Sequence, residues 1–244
     1  MSRGKDTAQL EARLGYRFRD RSLLENALTH SSYANESRAR MHEVASNERL
    51  EFLGDAVLQI YISDHLYATY PSCAEGELTK MRQFLVCEGS LAEIARTISL
   101  GDYLWLGKGE EQSGGRGRPS VLADAFEALL AAVYLDGGGE TSTVARDLLL
   151  SLMADKIRQA VHAHLDYKTM LQQLVQQDGD ELLSYETVEE SGPAHQRFFR
   201  VEARINSNTV GVGEGYSKRE AEQMAASRAL KLFGVDGDPD QRER

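Results

Sequence analysis

From Leu10 to about Ile157, apolar residues recur at three- and four-residue spacing, the period of an amphipathic helix, and strand-like alternation is almost absent. The pattern predicts helices around Leu23, Leu24, Ala27 and Leu28, from Leu50 through Ile62, over Leu78 to Val86, over Leu91 to Ile98 and over Leu122 to Leu135. Past Leu165 the period changes. One amphipathic helix is predicted over Tyr167 to Gln177, then strands near Ser184 to Glu189, Phe198 to Asn206 and Thr209 to Glu214, then a last helix over Lys218 to Phe233. In the middle strand Phe199, Val201, Ala203 and Ile205 alternate with Arg200, Glu202 and Arg204, which puts one face on a core and one toward water. On the last helix the small residues Ala221, Ala225 and Ala229 are expected to pack against the sheet. The reading is an all-α domain followed by a small α+β domain of order α-β-β-β-α, with expected bounds of 8–158 and 165–234. The tail from Gly234 to Arg244, rich in Gly, Asp and Arg, is expected to be disordered.

A chain of 244 residues accommodates two such domains. Its net charge is −10, with 28 basic against 38 acidic residues, and the part after residue 160 holds ten basic against fifteen acidic. A globally basic nucleic-acid coat is therefore excluded, and any nucleic acid must be held by a local patch. Cys73 and Cys87 have no metal-ligand spacing and are too few for a disulfide framework, so they are read as buried thiols in a reducing compartment. Met1 to Glu11 lacks the apolar run of a signal peptide, and no stretch approaches the ~20 apolar residues of a membrane span. A soluble, cytoplasmic protein without a membrane partner is expected.

The charged residues of two helices carry the chemistry. Wound at about 100° per residue, Glu48, Glu51 and Asp55 fall within an arc of roughly 60°, with Leu50, Leu53, Val57 and Ile60 expected on the opposite, core-facing side. The helix over Leu122 to Leu135 repeats the arrangement, with Asp124 and Glu127 three apart and Leu122, Phe126, Leu129 and Val133 opposed to them. Either face alone reads as a solvated acidic surface. Two such faces, nearly devoid of interleaved basic residues, ask for another account. Carboxylates ~5 Å apart would repel by about 3 kcal/mol at an effective dielectric of 20, so convergence of the faces calls for a cation between them. Oxygen-only ligands favour a hard ion, Mg²⁺ or Mn²⁺. Phe52 lies near the carboxylate side, and so large a ring is expected to be covered, by a neighbouring element of the same chain or by a second subunit.

These residues carry a resemblance. Asn47 to Leu58, reading NERLEFLGDAVL, resembles the signature of the ribonuclease III family, and Leu122 to Leu129, reading LADAFEAL, resembles its second acidic motif. Leu14-Gly15-Tyr16, the stretch Ala27 to Ser32, Glu75-Gly76-Glu77-Leu78 and Ser113-Gly114-Gly115 are similar to the family as well. The resemblance implies a double-strand-specific endoribonuclease in which Glu51, Asp124 and Glu127 ligate Mg²⁺ (Mn²⁺ as a substitute), Asp55 holds the catalytic water network and Glu48 is an accessory acid. It further implies hydrolysis leaving 5′-phosphate and 3′-hydroxyl ends with short 3′ overhangs, no small-molecule cofactor, and a homodimer in which Phe52 enters a socket on the twin subunit. Processing of ribosomal RNA precursors and of some messenger and transfer RNAs is the implied role. The stretch from Tyr33 to Ser46 is longer than the family's usual connection and reads as a solvated loop.

The second domain resembles the double-stranded RNA-binding domain. Lys218 and Arg219 stand at the start of the last helix, where they oppose the macrodipole, yet beside free backbone N–H groups they form a site for phosphates. The resemblance implies that Thr169, Gln172 and Gln173 meet one minor groove of an RNA duplex and that His195, in the loop Gly192 to His195, meets another.

Two further patterns are rejected. Gly101 to Gly109 lacks the spacing of a phosphate loop. His30, Ser31 and Ser32 are too close in sequence to build a nucleophile–base pair and are read as structural. The principal rival function is a duplex-RNA binder that has lost its chemistry, which would be marked by missing carboxylates. All five are present.

Overall fold

The computed structural model describes residues 6–39, 41, 44–71, 73–164, 166–177, 181–193 and 196–234, with backbone alone at 162, 164 and 177. His195 and the tail after Gly234 lie outside the described residues. The chain divides into two compact units, Met1–His164 and Leu165–Arg244.

The first unit is helical: α1 (Thr7–Leu14), α2 (Arg21–Ala27), α3 (Ser31–Arg38), α4 (Glu48–Thr69), α5 (Glu75–Val86), α6 (Glu88–Thr97), α7 (Lys108–Gln112), α8 (Pro119–Gly137) and α9 (Val144–His164). At its centre lies α8, packed against α2, α4, α6 and α9. Pro119 at its first position presets the backbone angle, and Gly138, at φ 112°, ends it in the left-handed region that favours glycine. Between Val121 and Val133 every residue is buried except Asp124 and Glu127. The carboxylates therefore interrupt an otherwise apolar core helix.

The start of α4 is tied to the end of α2. Asn47 donates its backbone N–H to the Thr29 carbonyl at 2.8 Å, and the Asn26 side-chain amide donates to the carbonyls of Ala45 and Ser46 at 3.1 and 2.9 Å. Within α4 the buried residues are Leu50, Gly54, Val57, Leu58, Ile62 and Leu66. This corrects the expected core face, because Leu53 is only half-buried and Ile60 is 61% exposed. The buried arc is centred on Gly54, where α4 touches α8, and Ile60 stands about 120° round the helix from it. The cysteines also depart from expectation: Cys73 is half-buried and Cys87 exposed, the latter at the junction of α5 and α6.

The second unit holds α10 (Tyr167–Gln177), β1 (Leu183–Ser191), β2 (Phe198–Ile205), β3 (Asn208–Gly215) and α11 (Lys218–Leu232). The strands form an antiparallel sheet of order β1-β2-β3. In β2, Phe199, Val201, Ala203 and Ile205 are buried, as their alternation requires. A Cβ on Gly211 or Gly213 would overlap backbone atoms of α11 at Ala225 and Ala221, so glycine on the strand and alanine on the helix let the two lie in direct contact. The two helices are joined through side chains: Lys168 pairs with Glu222 at 2.6 Å, and Gln223 donates to Asp166 at 2.9 Å. Among the described residues no helix is long and apolar enough to cross a membrane.

Candidate active site

The two acidic faces meet where α4 crosses α8. A Cβ built on Gly54 would overlap the carbonyl oxygen of Glu127 and lie 2.5 Å from its carbonyl carbon. Gly54 thus brings the two backbones together between Glu51 and Asp55 on one helix and beside Asp124 and Glu127 on the other. Sequence reading passed over this residue. A signal was present, since glycine inside a helix costs about 1 kcal/mol relative to alanine and calls for a packing reason.

Electrostatics show which carboxyls share the space. Burial, then the charges of Asp55, Asp124 and Glu51, push the Glu127 carboxyl up to about 8. Burial, then the charges of Asp124 and Glu48, raise Glu51. Asp124 is raised by burial and by Glu88, with His30 acting in the opposite sense. Glu48, Glu51, Asp55, Asp124 and Glu127 therefore form one field of mutual repulsion. Glu88, at the first turn of α6, extends it and was not anticipated. Glu48 and Asp55 are exposed, whereas Glu51, Asp124 and Glu127 are half-buried. Glu48 accepts a hydrogen bond from the Ser46 hydroxyl at 2.6 Å, and Asp55 accepts one from the Gln59 amide at 3.4 Å.

A divalent cation fits this donor set by its chemistry: the groups are all carboxylate oxygens, and half-burial leaves their repulsion poorly screened. Among the described residues no three His, Cys, Asp or Glu side chains are already gathered closely enough to enclose an ion. An ion held here would require the acidic side chains to turn toward one another from backbones that already touch at Gly54.

The neighbouring His30 and Ser32 hold structure. The His30 Nδ1 accepts the Ser32 backbone N–H at 3.2 Å, capping α3, and the Ser32 hydroxyl oxygen accepts the Gly107 N–H at 2.9 Å. In the rejected glycine segment, a Cβ on Gly101 would overlap the Arg116 carbonyl oxygen, and the Arg116 guanidinium donates to the carbonyls of Gly101 and Leu104, both at 2.8 Å. That loop binds itself.

On the exterior of α4, Phe52 is 83% exposed, which removes the alternative that an element of its own unit covers it. Phe52, Ala56, Ile60 and Tyr67 are all exposed and fall on one stripe of the helix.

In the second unit, Thr169 and Gln173 are exposed and Gln172 is half-buried, while Tyr167, Leu171 and Val175 face the core. Thr169 donates its hydroxyl and its backbone N–H to Asp166 at 2.9 and 3.1 Å. Lys218 and Arg219 are exposed in the first turn of α11, and the Lys218 ammonium lies 5.8 Å from the centre of the Phe199 ring. The expectation of open N–H groups beside them needs correction at one position, because Ser217 accepts the Glu220 N–H at 3.2 Å. Glu220 in turn accepts the Tyr216 N–H at 2.8 Å, so an acidic group also occupies that end.

Comparison with known proteins gives matches to both units. A family model described as Ribonuclease-III-like covers residues 20–157, and one described as Double-stranded RNA binding motif covers residues 167–232. Ribonuclease 3 of Bacillus cereus (strain G9842) is 48% identical over 222 residues, covering 91% of this chain and 89% of that protein. Ribonuclease 3 of Anoxybacillus flavithermus is 50% identical over 223 residues, covering 91% and 92% respectively. The solved nuclease domain of ribonuclease III from Campylobacter jejuni is 40% identical with a TM-score of 0.55, covering 62% of this chain and 95% of that one. A second structure of that domain is described as flexible in a region involved in dimer formation. With one match on each unit and relatives aligned over nine-tenths of its length, the chain belongs to the ribonuclease III family, as an enzyme that joins a nuclease unit to a double-stranded RNA-binding unit.

Proposed function

We propose that this protein hydrolyses phosphodiester bonds in both strands of duplex RNA with Mg²⁺, or Mn²⁺ in its place, leaving 5′-phosphate and 3′-hydroxyl ends with short 3′ overhangs. The observation that carries the reading is the set of carboxylates brought together at the Gly54–Glu127 contact, with Glu127 pushed up to about 8 by burial and its acidic neighbours. Residues 8–158 hold the chemistry and residues 165–234 hold the duplex.

Glu51, Asp124 and Glu127 are the proposed ion ligands. A divalent ion supplies Lewis acidity, which makes water nucleophilic near neutral pH and offsets charge on the departing 3′ oxygen. Asp55, more exposed than these three, orients water at the edge of the site, and Glu48 supports it from two turns earlier on the same helix. Lys218 and Arg219 contact phosphates, while Thr169, Gln172, Gln173 and His195 meet the minor groove, reading A-form shape more than sequence. Phe52 and the stripe around it form the face of a homodimer, whose twofold symmetry would set two sites across one duplex. Ribosomal RNA precursors, with some messenger and transfer RNAs, are the proposed substrates, and the cytoplasm the proposed location.

The test is cleavage of end-labelled duplex and single-stranded RNA with and without Mg²⁺. The expected result is cutting of the duplex alone, and only with Mg²⁺ or Mn²⁺ present, with Ca²⁺ supporting binding without cutting and Glu127→Ala binding without cutting. Ligation by an enzyme that requires 5′-phosphate verifies the ends. Duplex cleavage that survives Glu127→Ala would overturn the assignment, and tight binding with no cutting under any ion would favour the non-catalytic binder.

A further inference from the structure

Two helices that bear carboxylates for one ion must be held at a defined separation, and in this chain they touch backbone to side-chain-free backbone at Gly54. Around Gly54 the three atoms nearest to a Cβ all belong to backbone: the carbonyl oxygen of Glu127, its carbonyl carbon at 2.5 Å and its Cα at 3.0 Å. No rotamer change can make room among such atoms. Any side chain at position 54 must push α4 and α8 apart, by about 1.5 Å to restore ordinary contact distance. The contact is also central to the acidic groups. Glu51 lies one turn before Gly54 and Asp55 one residue after it, while the partner backbone is that of Glu127 itself, one turn beyond Asp124.

We propose that Gly54 is a positioning residue that sets ion size: the backbone contact it permits fixes the carboxylate-bearing helices at a spacing suited to a small octahedral cation over a larger one. The inference rests on the reading of these carboxylates as an ion site. Mg²⁺ demands oxygen ligands at about 2.0–2.1 Å in near-ideal octahedral geometry, whereas Ca²⁺ accepts about 2.3–2.6 Å and variable geometry. A displacement of about 1.5 Å exceeds what a rigid octahedral shell absorbs, while a flexible, larger shell tolerates much more of it. Loss of this glycine should therefore discriminate between ions and not merely weaken the fold.

A matched control exists in the same unit. A Cβ on Gly101 also overlaps a backbone carbonyl oxygen, that of Arg116, and on α8 it meets only the end of the Leu122 side chain, at 3.2 Å. Gly101→Ala thus imposes a comparable backbone clash while the direct contact of α4 with α8 at Gly54 stays intact.

The experiment measures Mn²⁺ binding by the resonance signal of the free ion and Ca²⁺ binding by calorimetry, on the full chain without RNA, for wild type, Gly54→Ala and Gly101→Ala. Thermal melts accompany each. Gly54→Ala should raise the Mn²⁺ dissociation constant at least tenfold and the Ca²⁺ constant less than threefold, and should raise by a similar factor the Mg²⁺ concentration that half-saturates cleavage. Gly101→Ala should lower the melting temperature with the ratio of the two constants unchanged. Equal weakening of both ions in Gly54→Ala, or a ratio matching that of Gly101→Ala, would overturn the proposal and leave Gly54 as packing alone. If Gly54→Ala does not fold, Asp124→Glu carries the test, because it lengthens one arm by a methylene over an unmoved backbone. Loss of Mn²⁺ affinity at least tenfold greater than that of Ca²⁺ is expected there, and equal losses would overturn the proposal. No saturable Mn²⁺ binding by the wild type would overturn the ion site itself, an outcome distinct from wild-type binding that Gly54→Ala leaves unaltered.

Discussion

Asp55 on α4 and Glu127 on α8 stand close enough that, after burial, the charge of Asp55 is the leading cause of the raised Glu127 carboxyl. An ionised Glu127 is therefore costly until a cation offsets it. Glu127→Gln should abolish cleavage, retain duplex binding, and stabilise the ion-free protein. After allowance for solvent screening of a partly exposed group, the gain is about 1 to 2 kcal/mol near pH 7.5. Calorimetry in chelator should show a higher melting temperature than wild type, and Mg²⁺ should narrow the gap. A lower melting temperature in chelator would mean that the Glu127 carboxyl contributes to stability, contrary to this account.

Asp136, in the last turn of α8, accepts the Tyr16 hydroxyl at 2.6 Å and the backbone N–H groups of Asp20 and Arg19 at 2.7 and 2.9 Å, fastening the loop between α1 and α2. Burial opposes its ionisation, but the Tyr16 hydroxyl and then the two N–H donors outweigh burial and hold its carboxyl below the ordinary 3.8. A depressed acid contributes stability above its unfolded value that is lost as pH falls through the folded one. Asp136→Ala should thus cost about 2 kcal/mol, undiminished between pH 5 and 8 and shrinking only below about pH 4. Urea unfolding across that range measures it, and a deficit that shrinks above pH 5 would contradict the sign.

Exposure of Phe52 and Ile60 makes them suitable probes of self-association, since neither supports the core of its own unit. Burying such side chains between subunits contributes about 1.5 to 3 kcal/mol each. Phe52→Ala should weaken the dimer about a hundredfold, with Ile60→Ala adding to it, while the monomer melts as before. Sedimentation at micromolar concentration checks this, and an unaltered dimer would return the stripe to ordinary surface.

Lys218→Ala and Arg219→Ala should each weaken duplex binding and flatten its dependence on salt by roughly one unit of the log–log slope, as expected when one phosphate contact is removed. Titrations at several salt concentrations provide the slope. With ten basic residues after position 160, cleavage itself should fall steeply as salt rises.

Much of the second unit was readable because its signals are local. Alternation at Phe199, Val201, Ala203 and Ile205 appeared as a half-buried strand, and Tyr167–Gln177 emerged with the expected ends. The acidic arc on α4 was equally legible, being a consequence of helical period alone. Ile60 was placed on the wrong side because counting apolar residues gives no weight to a glycine, and it is Gly54 that marks the closest approach. Glu88 escaped notice for a different reason: it stands at the end of another helix, and only packing of α6 against α8 brings its charge to Asp124.

By itself the amino-acid order determined which segments become helix or strand, which face of each is acidic or apolar, and which family the motifs resemble. These follow from periodicity and residue chemistry within a few turns of chain. Only the tertiary structure decided that Glu127 lies half-buried among Asp55, Asp124 and Glu51, that Phe52 is left uncovered, and that Gly54 lets the two acidic helices touch. Those properties depend on distances between residues about seventy positions apart, and burial and Coulomb energy are functions of such distances.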